Sequence, residues 1–515
     1  MNSSTPLHCD LLIVGGGING AGIARDAAGR GLSVVLCDKD DLAAHTSSAS
    51  TKLIHGGLRY LEHYEFGLVR KALIEREVLL RSAPHIMWPM RFVMPHDKGQ
   101  RPAWMIRAGM LVYDYLAKRE ILPGSGSIDL RLHAAGEPLK PEFTKGFIYS
   151  DGWVDDARLV VLNAMDAAEK GAKVFTHTIC TSALREGDHW HATLRTANGS
   201  DIPVHARGLV NAAGPWAAQF LQQAAHRPSA KSLRLIKGSH IVVKKLFDHP
   251  YAYIFQNPDG RIVFAIDYEQ DFTLVGTTDI EYAGDTDNVA IDQDEIDYLC
   301  NLTERYFRKP LTPSDVVWAY SGVRPLLEDA SSNASEITRD YNLAMDGDTA
   351  PLLSVFGGKI TTFRKLAEEA VDMIAAKLGN SHGTWTEHAC LPGGDLYGPP
   401  QNRAVLEFEA FVGALQQSYS WLPPKLVARY ARAYGTRIHR LLENRKCLAD
   451  MGEAVADGLY EAELDYLVKN EWASSSVDIL WRRSKLGLHL PADTAQRIDQ
   501  WLAHKKEESR QLTPA

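Results

Sequence analysis

Three cations of this sequence stand among glycines and apolar residues, an unusual setting for a solvated surface charge. They are Arg59 in HGGLRYLE, Arg324 in SGVRPLL and Lys359 in GGKITT. Guanidinium groups bind phosphate through two charge-assisted hydrogen bonds at once, and neighbouring glycines let a ligand approach closely. Most Arg and Lys side chains are simply exposed to solvent. The flanking residues here favour a site for a small anion, and three cations exceed what a single carboxylate needs.

A group that takes up a proton is expected near these cations. His55 lies beside two glycines in HGG, and an imidazole can accept a proton near neutral pH. His240 in KGSH is a rival, and either histidine could be an ordinary buried residue with hydrogen bonds. Thr277 and Thr278 could hydrogen-bond substrate hydroxyls or cap a turn. The sequence leaves these alternatives open.

The start of the chain has the pattern of a dinucleotide-binding unit. It reads DLLIVGGGINGAGIARDAAGRGLSVVLCDKD from Asp10 to Asp40, and Gly15, Gly17 and Gly20 fit the spacing G-x-G-x-x-G. The first glycine permits a tight turn, the second lets the backbone approach a pyrophosphate, and the third lets a helix pack against a strand. Asp38 ends the second apolar run, where an acid can accept hydrogen bonds from unphosphorylated ribose hydroxyls.

Two further glycine-rich turns favour a flavin over a nicotinamide. VNAAGPWA (210–217) follows a strand far downstream, and FGGKITTFRKLAEEA (356–370) sets glycines just ahead of a helix. Three turns spread along the chain suit one extended ligand, and FAD is such a ligand. The run at 46–50 is predicted to clasp FAD, although Ser/Thr runs are more often plain loops. The predicted FAD contacts are Gly15, Gly17, Asn19, Gly20, Asp38, Thr46, Ser47, Ser48, Ser50, Gly214, Gly357, Gly358, Lys359 and Thr361.

Composition sets limits on the class of protein. The 515 residues exceed the size of one hydrophobic core, so two or more folding units are expected. The net charge of -8 gives no sign of nucleic-acid binding. Six scattered cysteines lack metal-ligand spacing, which predicts no metal site and a reducing compartment. No window approaches the ~18 apolar residues of a membrane span, and no secretory signal is recognised.

The remaining patterns predict an α/β fold followed by an all-α C-terminal domain. Helical character is expected from Ser47 to Ala83, and the segment 379–401, with PGG and YGPP, resembles a linker. We predict a Rossmann-like FAD-binding domain interleaved with an antiparallel-sheet substrate domain over 1–385, and a helical domain over 386–515. Strands are expected at 174–178, 190–196 and 202–210 as a meander, and at 239–243, 262–266 and 272–276 in a further sheet. Helices are expected at 361–378, 404–416, 423–434, 459–472, 476–486 and 491–505.

Longer motifs resemble a single family through nearly the whole chain. Besides the glycine run, they are TSSASTKLIHGGLRYLEHYEFGLVRKALIERE (46–77), YSDGWVDDARL (149–159), NAAGPW (211–216), IKGSHIVV (236–243), GTTDIEY (276–282), SGVRPLL (321–327) and SVFGGKITTFRKLAE (354–368). They are similar to the FAD-dependent, respiratory glycerol-3-phosphate dehydrogenases of bacteria, whose FAD domain is of the glutathione-reductase and D-amino-acid-oxidase type. The resemblance is weakest from Gly379 to Leu422.

The resemblance implies a reaction and a location. The substrate would be sn-glycerol 3-phosphate, oxidised to dihydroxyacetone phosphate by hydride transfer to FAD, with the electrons passed to membrane quinone. Arg59, Tyr60, Arg324 and Lys359 would contact the substrate, although Lys359 could contact the flavin instead. With His55 and Thr277, they form the predicted catalytic set. The protein would be a peripheral homodimer on the cytoplasmic face of the inner membrane.

Two other functions stay open from the residues alone. One is an FAD-dependent oxidase of an amine or amino acid that uses oxygen, and the other is a flavoprotein that senses a ligand or redox state without catalysis. The segment Arg101–Glu120 mixes basic, aromatic and apolar residues as a helix in a lipid interface does, but such helices more often pack on their own core. The basic cluster at 481–485 could serve a dimer, lipid or solvent.

Overall fold

The computed structural model describes residues 5–97, 99–229, 231, 233–257, 259–327 and 340–511. The strands in these residues are β1 (Leu7–Val14), β2 (Val34–Cys37), β3 (Leu53–Ile54), β4 (Met87–His96), β5 (Gly126–Asp129), β6 (Lys145–Val154), β7 (Lys173–Phe175), β8 (Thr178–Glu186), β9 (His189–Thr196), β10 (Asp201–Asn211), β11 (Leu233–Lys244), β12 (Tyr251–Gln256), β13 (Ile262–Tyr268), β14 (Phe272–Gly276), β15 (Ile280–Glu281), β16 (Val316–Leu327), β17 (Asn342–Asp346), β18 (Leu352–Phe356), β19 (Ala454–Ala456) and β20 (Leu459–Tyr460). The α-helices are α1 (Ile18–Gly29), α2 (Phe66–Ser82), α3 (Ala103–Tyr115), α4 (Asp156–Glu169), α5 (Ala217–Gln223), α6 (Gln293–Tyr306), α7 (Phe363–Lys377), α8 (Asn402–Leu406), α9 (Phe408–Ser418), α10 (Pro424–Tyr434), α11 (Ile438–Leu441), α12 (Glu461–Glu471) and α13 (Thr494–Gln511).

The first sheet is the parallel layer that the N-terminal glycine run predicts. Its order is β17-β18-β10-β1-β2-β7, and the pairs from β18 to β7 are all parallel. All four residues of β2 are buried, as expected of a strand covered on both faces. Helix α1 packs on this sheet beside α4 and α7. Its small residues Gly20, Ala21 and Gly22 allow this close approach. The predicted strand, helix and strand are therefore confirmed.

The second sheet is largely antiparallel, and it forms the substrate layer. Its order is β15-β11-β14-β13-β12-β4-β6-β3, with β16 added on β11 and β5 added on β6. The predicted strands at 239–243, 262–266 and 272–276 are β11, β13 and β14. The predicted meander is partly wrong, because 174–178 covers most of β7, which pairs in parallel with β2, and reaches only the first residue of β8. The meander is instead β8-β9-β10, and the sequence patterns missed β8.

The region predicted as helical from Ser47 to Ala83 contains other structure before its helix. The chain forms a short 3₁₀ turn at Thr46–Ser48, strand β3 and a second 3₁₀ turn at Leu58–His63 before α2 begins. Gly57 has a φ of +75°, a left-handed conformation that interrupts a helix. This interruption places the HGGLRY segment as a loop beside the second sheet.

The C-terminal domain is helical, as predicted, with its own hydrophobic core from Leu396 to Leu502. The predicted helix at 404–416 is divided into α8 and α9, and the one at 476–486 is a π-helical turn at Asp478–Arg483. The segment at 379–401 is not a free linker. The indole N–H of Trp385 donates to the carbonyl of Asp26 at 3.2 Å, and its ring lies against Gly29 of α1.

Buried ion pairs join the C-terminal domain to the first sheet. The Arg482 Nε donates to Asp41 at 2.6 Å, and Arg483 donates to the same carboxylate at 2.8 Å. Arg158 of α4 pairs with Glu471 of α12. The basic cluster at 481–485 therefore serves this domain contact in large part. Removing one partner of such a buried pair would lower the free energy of unfolding by about 3–5 kcal/mol, because the other charge would stay buried without a partner.

A buried histidine lies in the contact between the two domains. His85 is fully buried, and a side chain at Gly435 would approach its ring at 3.1 Å. Neither ring nitrogen has a hydrogen-bond partner among the described residues. Burial, with the positive charges of Arg158 and Arg432, lowers the pKa of His85 to about 3. The folded protein therefore keeps this imidazole neutral at pH values where the unfolded chain protonates it.

We expect His85→Leu to reduce the acid sensitivity of the fold. The unfolded chain takes up a proton at this residue below about pH 6.5 and the folded chain does not, so native stability falls as the pH falls. Between pH 6.5 and pH 5 this one group accounts for a loss of about 2 kcal/mol. The difference between the urea midpoints of unfolding at pH 8 and pH 5 should be smaller in the variant than in the wild type. His226→Asn, at an exposed histidine, is the control. An equal decrease of this difference in the control would contradict the assignment to His85.

Candidate active site

Two joined cavities lie between the sheets. The larger has a volume of about 600 Å³ and lies at the carboxyl ends of β1, β2 and β10, where open parallel sheets bind their ligands. The smaller has a volume of about 280 Å³ and lies against the second sheet. The residues common to both linings are Ile18, Thr46, Ser47, Pro325 and Gly358. The arrangement suits one long ligand whose end reaches the smaller cavity.

The glycine run forms the wall of the larger cavity. Gly15 has a φ of +111°, and a side chain there would overlap the carbonyl of Ala212. Gly17 precedes the first turn of α1 and lines the cavity, so the amino end of the helix faces the ligand space. Gly20 does not line the cavity. A side chain at Gly20 would overlap the Gly15 carbonyl oxygen, so this glycine serves helix packing, as its place in the motif predicts.

Asp38 lies at the end of β2 and lines the larger cavity. One oxygen accepts from the Gly16 amide at 2.5 Å and the other from the Asp40 amide at 2.8 Å. Burial raises the pKa of Asp38 to about 6, although these amides oppose the shift. The carboxylate is thus mostly ionised at pH 7, and it can accept hydrogen bonds from a ribose.

Three of the four predicted residues of the Ser/Thr run line the cavities. Ser47 lines both cavities and accepts from the Ile18 amide at 3.0 Å, while Thr46 lines both and donates to the carbonyl of Val323 at 2.7 Å. Ser50 lines the smaller cavity and donates to Asp156. Ser48 is not in either lining, because its hydroxyl donates to the carbonyl of His45 at 3.2 Å. Its predicted contact with the cofactor is therefore not supported by this geometry.

The downstream glycine-rich turns meet α1 at the junction of the cavities. Gly357 and Gly358 have φ values of +75° and +105°, and the Asn19 side chain donates to the Gly357 carbonyl at 3.1 Å. The other end of that amide, Asn19 Oδ1, is buried and lacks a partner among the described residues. Gly214 lines the larger cavity and Thr361 the smaller one. A glycine cradle, a helix amino terminus and an unpaired buried oxygen together fit a dinucleotide such as FAD.

Sequence reasoning missed part of the dinucleotide end of the larger cavity. Lys39 lies over the ring of Trp216 with its Nζ 3.9 Å from the ring centroid, and His45 packs edge-on against the same indole. All three line the cavity. The NAAGPW motif marks Trp216, but no local pattern marked the other two.

Four cations line the smaller cavity. The sequence predicted Arg59, Arg324 and Lys359, and the structure adds Arg261. Lys359 lies over the Tyr60 ring with its Nζ 3.8 Å from the centroid, so these two predicted residues are neighbours. Arg261 directly follows the sequence NPDG, whose residue types are typical of an exposed hairpin end. Only the pairing of β12 with β13 brings it to the cavity.

An acidic side chain holds one of these cations in place. The guanidinium of Arg324 donates to Asp279 at 3.0 Å and to the carbonyl of Thr278 at 3.2 Å. Asp279 also lines the cavity, and the sequence patterns did not single it out. Arg324 is thereby oriented before any ligand binds, which lowers the conformational entropy lost on binding.

Both histidine candidates line the smaller cavity. The His55 amide donates to the Thr361 hydroxyl at 3.2 Å, and its ring meets Phe264 edge-on. His240 is buried and stacked on Tyr320, and its Nε2 lies 3.0 Å from the Thr51 hydroxyl. Burial, helped by nearby positive charge, holds the pKa of His240 well below 6.5, which makes it a weak base. Both histidines remain candidates by position, and the lowered pKa of His240 favours His55 as the base.

The two threonines have different roles. Thr277 lines the smaller cavity, and its hydroxyl donates to the Thr278 carbonyl at 3.0 Å. Thr278 is buried, and its hydroxyl donates at 2.6 Å to Glu295, which lies on the opposite face of β11 from the cavity. The Thr278 hydroxyl therefore faces away from the ligand space and does not contact a substrate there, whereas Thr277 remains available to the ligand.

We expect Gly238→Ala to weaken substrate binding without loss of flavin. The new methyl group would lie 2.6 Å from Arg324 Nη2 and 2.8 Å from Thr277 Oγ1, so the guanidinium must move. A displacement of about 1 Å can cost 10²-fold in rate, and we expect kcat/KM to fall about tenfold or more. Gly126→Ala, in β5, is the matched control because its nearest neighbour would be 3.6 Å away. Equal kinetics in both variants would contradict the placement of Arg324.

Comparison with known proteins agrees with this architecture. Residues 10–364 match the family model described as FAD dependent oxidoreductase, and residues 384–508 match the C-terminal domain of alpha-glycerophosphate oxidase. A glycerol-3-phosphate dehydrogenase of Pseudomonas aeruginosa is 54% identical over 96% of this chain and 94% of its own length. A D-erythritol 1-phosphate dehydrogenase of Brucella abortus is 49% identical over 96% and 98%. The structure of a Bacillus halodurans glycerol-3-phosphate dehydrogenase complexed with FAD has a TM-score of 0.77 at 26% identity, covering 97% of this chain and 90% of that one.

The fold, the paired cavities and these matches define the class of protein as an FAD-dependent oxidoreductase. Within that class, the chain belongs to the glycerol-3-phosphate dehydrogenase family. The first family model ends at residue 364 and the second begins at residue 384, close to the boundary predicted near residue 385. The division into domains at that residue remains our prediction.

Proposed function

We propose that this enzyme oxidises sn-glycerol 3-phosphate to dihydroxyacetone phosphate with FAD as the hydride acceptor. The observation that carries the proposal is that four cations, Arg59, Arg261, Arg324 and Lys359, line a small cavity that adjoins the dinucleotide cavity. A phosphate ester carries nearly two negative charges, and charge-assisted hydrogen bonds are the strongest that such a group can accept. An amino-acid oxidase would need a clamp for one carboxylate only.

FAD, when bound along the glycine cradle, supplies the redox chemistry of the alcohol oxidation. The protein's own residues then have three tasks. Arg324 and the other cations hold the phosphate and so fix the orientation of the carbon chain. Thr277 can hydrogen-bond a substrate hydroxyl. His55 accepts the hydroxyl proton, because it lines the same cavity and an imidazole has a suitable pKa range.

The test is anaerobic reduction of the flavin by a small panel of compounds. Glycerol 3-phosphate should bleach the visible absorption of the holoenzyme, and glycerol, which lacks the phosphate, should not. D-erythritol 1-phosphate belongs in the panel because a relative at 49% identity is named for that substrate. Faster bleaching by D-erythritol 1-phosphate than by glycerol 3-phosphate would identify the longer polyol phosphate as the substrate. Bleaching by glycine alone would replace the proposal with an amino-acid oxidase.

We also propose that the enzyme is a homodimer that passes its electrons to membrane quinone. In this proposal, helix α3 lies on the membrane surface. Within the described residues, no helix is both long and apolar enough to cross a bilayer. Helix α3 turns an apolar face outward, with Trp104 70% exposed and Tyr115 81% exposed, while Met110 and Tyr113 pack inward. Its other outward apolar residues are Met105, Leu111 and Val112. An aromatic and apolar face of this kind suits the lipid interface.

We expect the triple change Trp104→Ser, Leu111→Ser and Tyr115→Ser to reduce binding to vesicles of anionic phospholipid. Each substitution removes apolar area that the interface would bury, at about 25 cal/mol per Å². Cosedimentation measures the bound fraction. The control replaces Leu132 and Leu406, which are exposed elsewhere, with Ser. Equal binding of the two variants would exclude α3 as the contact.

A further inference from the structure

A fully buried carboxylate lies directly behind the substrate cavity. Glu295, in the first turn of α6, is 1% exposed and lies on the opposite face of β11 from the cavity. Gly238 and His240 of β11 line the cavity, while the alternate residues Lys237 and Ser239 point toward Glu295. The carboxylate and the ligand space are therefore separated by a single strand.

Four hydrogen-bond donors converge on the two oxygens of Glu295. Oε1 accepts from the hydroxyl of Thr278 at 2.6 Å and from that of Ser239 at 2.8 Å. Oε2 lies 2.8 Å from the Lys237 ammonium and accepts from the Asp292 amide at 3.2 Å. The same residue completes the capping box of α6, because its amide bonds to Asp292 Oδ1. A carboxylate is the side chain that can accept all four bonds.

Thr278 connects this carboxylate to the substrate cavity. Its hydroxyl faces Glu295 and also accepts from the Ser239 amide at 2.9 Å. Its carbonyl faces the other way and accepts from Arg324 at 3.2 Å and from the Thr277 hydroxyl at 3.0 Å. Fixing the side chain of Thr278 therefore fixes the carbonyl that orients both of these cavity residues.

A second connection runs through β16. The hydroxyl of Ser239 lies 2.8 Å from the hydroxyl of Ser321, three residues before Arg324 on the same strand. Ser239 and Ser321 are also paired in the register of β11 with β16. Glu295 thus holds both strands that meet at the cation, through the fully buried Ser239 and its partner Ser321.

We propose that Glu295 is a positioning residue for the phosphate site, acting through Thr278 on Arg324 and Thr277. The inference rests on the proposed function, since it assigns a support to the site that binds the substrate phosphate. It predicts that loss of the carboxylate disturbs substrate binding although no atom of Glu295 reaches the cavity. It also predicts that the flavin, held by the first sheet, stays bound.

The test is Glu295→Gln in the FAD-loaded enzyme. The amide keeps the size of the side chain but places an NH₂ group against two of the four donors, so the hydrogen bonds that fix Thr278 and its neighbours cannot all be kept. We expect KM for glycerol 3-phosphate to rise about tenfold or more, with a smaller change in kcat and an unchanged FAD content. Thr278→Val should reproduce this effect and Thr278→Ser, which keeps the hydroxyl, should restore most of the wild-type KM.

Two comparisons separate positioning from a general loss of stability. Asp292→Asn removes one negative charge from the same lysine and the same cap, but Asp292 has no hydrogen bond to Thr278, so its KM should stay close to wild type. In an Arg324→Lys background, Glu295→Gln should raise KM by a smaller factor than in the wild type, because the guanidinium, one of the two groups that Thr278 orients, is gone. A wild-type KM in Glu295→Gln, or an equal rise in Asp292→Asn, would overturn the inference. If wild-type enzyme fails to oxidise glycerol 3-phosphate at all, the proposed function fails instead.

Discussion

Arg324→Ala is expected to lower kcat/KM for glycerol 3-phosphate by about 10²-fold or more while the protein remains yellow. Each hydrogen bond to a charged group contributes about 1.5–3 kcal/mol, and the guanidinium can make two such bonds to phosphate. The carboxylate of Asp279, which Arg324 now contacts at 3.0 Å, would also be left facing the phosphate. Repulsion between these negative charges adds to the loss. Steady-state kinetics with an artificial electron acceptor measures the effect, and FAD content is read from the visible absorption.

The matched control for this variant is Arg234→Ala. Arg234 lies on the adjoining strand β11 and is also paired with an acid, since it donates to Glu281 at 2.8 Å, but it does not line either cavity. Its removal should change kcat/KM by less than about twofold, as for a surface ion pair. A similar loss in the two variants would mean that general charge, and not contact with the substrate, is responsible.

Gly20→Ala is expected to yield protein with little or no bound FAD. The added methyl group would overlap the carbonyl oxygen of Gly15, whose own φ of +111° leaves no easy adjustment. Either the turn after β1 or the start of α1 must move, and both form the wall of the FAD cavity. A backbone clash can cost about 3 kcal/mol, the upper end of the usual range for one substitution, and this energy corresponds to over a hundredfold in affinity. The ratio of flavin to protein absorbance measures the result directly.

Gly109→Ala provides the control for that experiment. Gly109 also lies within a helix, α3, but a side chain there would meet no atom within 4 Å. Alanine has the higher helix propensity, so stability should be unchanged or slightly increased. Full FAD content in Gly20→Ala would contradict the packing described for the glycine run.

Local patterns were sufficient for the glycine turn and the acid of the cofactor half of the site. The spacing of Gly15, Gly17 and Gly20 is set by a single turn between a strand and a helix, so residues close in sequence determine it. The same holds for Asp38 at the end of the next strand. Arg59, Arg324 and Lys359 could be identified because glycines and apolar residues flank them, which marks a buried approach path and not a solvated surface.

The parts that sequence reasoning missed depend on long-range pairing. Arg261 and Asp279 line the smaller cavity, and Glu295 lies behind it, because β11, β13, β14 and β16 align in one sheet. The residue types of Arg261, Asp279 and Glu295 alone do not distinguish them from surface charges. Ser47 and Ser48 are adjacent and chemically alike, yet only one lines the cavity. The direction of a side chain in a 3₁₀ turn follows from packing, which composition does not reveal.

The most direct test of the central claim is a crystal structure of the FAD-bound enzyme with dihydroxyacetone phosphate. We predict that the phosphoryl group contacts the Arg324 guanidinium and at least one of Arg59, Arg261 and Lys359 in the smaller cavity, with FAD along the glycine cradle of the larger one. A phosphoryl group bound away from all four cations, with FAD in place, would contradict the account.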